Sequence, residues 1–176
     1  MGHFDFVGNL TLRNNLDVAF DHILTLIPFS ESKSYGKLEK SSFRKTIIIY
    51  TASIIEALLF NQVHEKCSED DLTSYKWEVE NPKELYKIDD KHKIVGGYYV
   101  FKPTVLQLDK INLGIINKLL YEKKLIDEDM FEKIDKVRIL RNDQHFGTHQ
   151  VIKEYAKTDL EFVFSVAKDV KKLVQS

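Results

Sequence analysis

The densest group of chemically capable side chains lies in Lys136–His149, KVRILRNDQHFGTH, which holds two of the four arginines and two of the six histidines in fourteen residues. An imidazole titrates near neutral pH and can both take and give a proton. A guanidinium stays charged and offers paired donors to phosphate oxygens. At about 100° of rotation per helical residue, Arg138, Arg141, Asn142 and His145 share an arc of roughly 100°. His149 joins that face if the helix continues past Gly147. Metal-free cleavage of RNA needs a base for the 2′-OH, an acid for the leaving 5′-oxygen and positive charge for the phosphorane, and this face carries those groups. One imidazole cannot easily be acid and base at once, whereas two chains across a symmetric interface supply both. The bland reading is that cations near a helix end complement its C-terminal dipole.

Glu56 is the second residue to weigh, because it sits in the apolar run Ile47–Phe60, IIIYTASIIEALLF. An ionised carboxylate there needs a partner. Arg138 or Arg141 is the expected one. Glu56 then either orients a guanidinium for chemistry or locks two helices together.

The remaining candidates are weaker. Cys67, a lone thiol, excludes a disulfide framework and a thiol-based structural zinc site within one chain. His64 and Cys67 could form a metal pair by spacing, yet no further ligand is indicated, and neither a metal nor another cofactor is expected. His92 falls in a charged turn. Trp77, Tyr98, Tyr99 and Phe101 could stack on bases, but such residues more often pack a ribbon onto helices. No phosphate-binding glycine loop, HExxH, GxSxG or CxxC occurs.

The elements that position these residues are expected to be mostly helical, since only three prolines and seven glycines interrupt 176 residues. The apolar spacing predicts a helix over 15–27 stopped by Pro28, and a loop or weak helix over 30–40. A long central helix follows over 42–65, apolar nearly all round. Short runs rich in β-formers over 73–102 predict a ribbon, with Gly96-Gly97 as its two-residue turn. Further helices are expected over 108–123, over 127–146 and from Thr158, where Thr158-Asp159-Leu160-Glu161 has capping-box form. The fold class is therefore mainly α, a bundle of about five helices with a small inserted β-ribbon. It forms one domain over 1–176, with 68–103 as the insertion.

Composition limits the function classes. The chain is 43% hydrophobic and 30% charged, with 26 Lys+Arg against 27 Asp+Glu and a net charge of −1. This supports a packed core and argues against a basic sleeve for duplex nucleic acid, so any contact with RNA is a local patch. The N-terminus lacks the pattern of a signal peptide, and Phe6 stands where a myristoylation motif needs Ser or Thr. The apolar run 47–60 is shorter than the ~20 residues a bilayer needs. A cytoplasmic protein without membrane contact is expected.

Three stretches, YTASIIEALLFNQVHE, LGIINKLLYEKKLIDEDMFEKIDKVRILRN and RNDQH, resemble the HEPN superfamily of small helical domains found in prokaryotic toxin, phage-defence and RNA-processing settings. They cover about half of the chain. Arg141 and Asn142 match the Arg-polar pair of the active members, with His145 as the following histidine. Three residues separate Arg141 from His145 and seven separate it from His149, where active members place the histidine at an intermediate distance. The resemblance implies a homodimer with a composite, metal-independent endoribonuclease or RNA-binding site made by Arg141, Asn142 and His145, supported by Arg138, His149 and Glu56. An antitoxin or nucleotidyltransferase partner belongs to the same expectation. The alternative is a catalytically inactive domain that keeps the fold for dimerisation or protein–protein interaction.

Overall fold

The computed structural model describes residues 2–106, 111–142 and 154–175, and within them the chain forms five helices and two strands. It is mainly α with one two-stranded antiparallel sheet. The chain divides into two compact units, Met1–Glu65 with Asn112–Ser176, and Lys66–Ile111.

In the helical unit, α1 (Leu10–Glu31) begins earlier than the apolar spacing predicts. Asn9 caps it, its side chain accepting the Leu12 N–H at 3.0 Å. The helix also runs through Pro28 instead of stopping there. A proline here loses the bond its own N–H would make and crowds the carbonyl of Leu24 four residues back, but only three helical residues follow it, so the cost falls on a single last turn. The last turn is closed by the Ser32 N–H donating to the Pro28 carbonyl at 3.0 Å and by the Ser30 hydroxyl donating to Ile27 at 2.8 Å.

Helix α2 (Lys37–Lys66) absorbs the end of the expected loop. Its first turn is fastened by Glu39, which accepts the Gly36 N–H at 2.7 Å. Ile47, Ile48, Ala52, Ile55, Leu59 and Val63 are fully buried along it, so α2 is the axis of the core. It is also long and apolar enough to cross a membrane by length and composition, and its most apolar window is 56% buried inside the fold. The shorter run 47–60 understates this length, because residues 37–46 and 61–66 continue the same helix.

Helix α3 (Leu113–Glu122) starts later than expected, because Asn112 caps it by accepting the Gly114 and Ile115 N–H groups at 3.0 and 3.2 Å. Helix α4 (Glu128–Asn142) follows, with Asp127 accepting the Met130 N–H at 2.9 Å. The expected extension of α4 to Phe146 falls outside the described residues. Helix α5 (Lys157–Gln175) buries Leu160, Val163, Val166 and Val170 at helical spacing. Its start is held by Asp159, which accepts the Ala156 N–H at 2.8 Å, and the expected Thr158–Glu161 box is not the cap.

In the second unit, β1 (Thr73–Lys87) pairs antiparallel with β2 (Lys93–Val105), from Thr73 opposite Val105 to Lys87 opposite Lys93. The turn is not at Gly96-Gly97. It lies over 88–92, where Asp89 accepts the Lys91 and His92 N–H groups, both at 2.8 Å. Both glycines sit within β2, neither with positive φ, opposite an irregularity where Asn81 takes φ 49°. The ribbon aromatics also depart from the expectation of burial: Trp77 is 66% and Tyr98 76% exposed, and Tyr99 and Phe101 are exposed as well.

Candidate functional site

The start of α3 gathers three of the six nominated residues. Glu56 projects from the middle of α2, and Arg141 and Arg138 lie one turn apart near the end of α4. Arg141 Nη1 donates to Glu56 Oε2 at 2.5 Å, and the other carboxylate oxygen accepts the Leu113 N–H at 2.6 Å. One carboxylate thus joins α2, α3 and α4. The second bond meets an N–H that helix geometry leaves without an intrahelical partner, and negative charge is favourable at that end of a helix.

The expected partner for Glu56 is therefore found in Arg141. The side chains are 22% and 34% exposed respectively, so the pair is partly shielded from water but stays reachable. Arg141 also lies in the last turn of α4, where a cation complements the helix dipole.

Arg138 is engaged differently. Its Nε donates to Asp135 at 2.6 Å, and that hydrogen bond raises the guanidinium above its ordinary value. The alkyl stem rests on the first turn of α3, where a Cβ built on Gly114 would lie 3.2 Å from Arg138 Cδ. Glycine lets the arginine stem approach the backbone there. Asn142 is the last residue of α4 and is exposed. His145 and His149 lie outside the described residues.

Sequence reasoning missed Asp135, Leu113 and Gly114. The Asp135–Arg138 pair was open to detection as an i, i+3 charge pair on one helix. The Leu113 N–H carries no side-chain signal, and only the Asn112 cap could have pointed to it. Among the described residues, no group of three or more His, Cys, Asp or Glu side chains is placed to hold a metal ion.

The arrangement holds one guanidinium in a defined orientation beside a second, both at the end of the helix that leads into the histidine-bearing segment. No protein family, curated protein or solved structure matches this chain.

Proposed function

We propose that this chain is a HEPN-type, RNA-binding, metal-independent endoribonuclease of the toxin, phage-defence or RNA-processing kind, acting in the cytoplasm as a homodimer. The observation that carries the reading is the Glu56–Arg141 pair: a carboxylate fixes a guanidinium that remains about one-third exposed, at 34%. A guanidinium held at one nitrogen, Nη1, leaves its other donors for phosphate oxygens.

In this reading His145 moves the proton. In one copy it takes the proton of the ribose 2′-OH as that oxygen attacks phosphorus. In the other copy it protonates the departing 5′-oxygen, leaving a cyclic phosphate and a free 5′-hydroxyl. Arg141 and Arg138 hold the negative charge of the phosphorane, and Asn142 and His149 contact the RNA beside it. Glu56 orients Arg141 and does not touch the substrate. An antitoxin or a nucleotidyltransferase would restrain the activity from outside.

A second reading has a specific observation in its favour. The bond from Leu113 to Glu56 makes the same carboxylate a three-helix tie, which suits a catalytically inactive interaction or dimerisation module.

One assay separates the two. Purified protein is incubated with mixed single-stranded RNA in EDTA, beside His145→Ala and Arg141→Ala variants. Cleavage by the wild type that is lost in both variants supports the nuclease. Absence of cleavage, with Arg141→Ala unfolding more readily, favours the interaction module.

A further inference from the structure

An apolar cavity of about 360 Å³ opens between α1, α2, α5 and the N-terminal segment, all within the helical unit. Ile23 and Ile27 from α1, Ile54 and Leu58 from α2 and Phe164 from α5 form its walls. Thr51 also lines it, but its hydroxyl donates to the Ile47 carbonyl at 2.8 Å. The remaining polar lining is entirely basic, comprising His3, Lys168 and Lys171, with no Asp or Glu.

The two lysines differ in what holds them. Lys171 Nζ donates to the His3 carbonyl at 2.9 Å and lies 5.6 Å from the centre of the Phe4 ring, which fixes it at the cavity edge. Lys168 is exposed one turn earlier on α5, and no carboxylate among the described residues pairs with it. The nearby Asp17 accepts the His3 backbone N–H at 2.8 Å and is not part of the lining.

We propose that this cavity binds a free aliphatic carboxylate, a medium-chain fatty acid whose chain lies among the isoleucines and leucine and whose head group meets Lys168 and Lys171. The size falls in the ordinary range for small-molecule sites, about 300–1,000 Å³. Apolar walls supply affinity without direction. A cation at the edge, here Lys168, selects an anion over a neutral or cationic head. None of these residues belongs to the Glu56–Arg141 cluster, so the inference stands independently of the RNA reading.

The test titrates the full chain with decanoate, decan-1-ol and decyltrimethylammonium, reading affinity by calorimetry and Tm by scanning fluorimetry. Decanoate is expected to bind and raise Tm, with the alcohol and the ammonium clearly weaker. Lys168→Ala should weaken decanoate about three- to tenfold, since a partly exposed charge-assisted bond is screened by water, and leave the alcohol unchanged. Ala167 of α5 also lines the cavity, and Ala167→Trp should fill it and abolish both. If that variant fails to fold, the comparison of acid and alcohol on Lys168→Ala decides alone.

Equal binding of acid and alcohol, an unaffected Lys168→Ala, or no binding at all overturns the proposal. A final arm separates the free acid from a lipid surface. Phosphatidylcholine vesicles containing oleic acid should leave the protein in the supernatant, and co-sedimentation overturns the free-ligand reading.

Discussion

Glu56 and Arg141 stand 85 residues apart in sequence and meet at 2.5 Å between Oε2 and Nη1. The same carboxylate accepts the Leu113 N–H, so removing it leaves both a guanidinium and a helix-end donor without their partner. Glu56→Ala is expected to lower the unfolding free energy by about 2–3 kcal/mol, and Glu56→Gln by about 1 kcal/mol because an acceptor remains. A double-mutant cycle with Arg141→Ala should give a coupling of about 1 kcal/mol, modest because both side chains are partly exposed. Urea unfolding of the four proteins measures it, and a coupling of zero would show that the pair holds nothing together.

A different balance holds at Asn117, which is 1% exposed. Its Nδ2 donates to the Phe131 carbonyl at 2.9 Å, while Oδ1 has no hydrogen-bond partner among the described residues. An unsatisfied buried oxygen costs about 1–3 kcal/mol, against about 1 kcal/mol gained from a typical bond. Asn117→Leu, close in size, should therefore stabilise the protein by about 1 kcal/mol in thermal or urea unfolding. A loss of stability would mean that the Phe131 bond outweighs the orphaned oxygen.

Much of the helical core was legible, and the reasons are visible in particular residues. The all-apolar middle of α2 could only be a central helix, and a lone Glu56 within it demanded a cation. The ends were harder to read, because they depend on caps whose partners are backbone groups: Asn9 for α1, Asn112 for α3 and Asp159 for α5. Pro28 misled because a proline weakens a helix against the turn before it without preventing the chain from staying helical for one more turn. In the candidate site, residue type and helical rotation placed Arg138 and Arg141 together on α4. What they touch on α3, a bare N–H and a glycine, has no side-chain signature.

Gly97 illustrates the misread ribbon. A glycine pair between β-type runs suggests a tight turn, yet this one meets the opposite strand. A Cβ at Gly97 would lie 2.5 Å from Val79 Cγ1 and 2.9 Å from the Glu80 carbonyl oxygen. The carbonyl is backbone and cannot swing away. Gly97→Ala should disrupt the pairing beside Asn81 and destabilise the ribbon by about 1–3 kcal/mol. Trp77 fluorescence and amide exchange along β1 report it. Unchanged exchange protection at Val79 and Glu80 would refute the close approach as the reason for glycine.

The true turn of the ribbon should be sensitive to acid through Asp89. Its carboxylate is held below the ordinary aspartate value of 3.8, first by the Lys91 N–H and then by the His92 side chain. Because the folded value is lowered, the stabilisation is fully present above the unfolded value and is lost as pH falls through the folded one. The turn should therefore hold its hydrogen bonds at neutral pH and open below about pH 4, near the reference aspartate titration. Asp89→Asn should retain part of the turn through its amide oxygen and lose the acid dependence. Amide chemical shifts of Lys91 and His92, followed from pH 7 to 2, read this directly, the neutral end by definition above both values. Shifts that titrate equally in the wild type and in Asp89→Asn would assign the transition to another group.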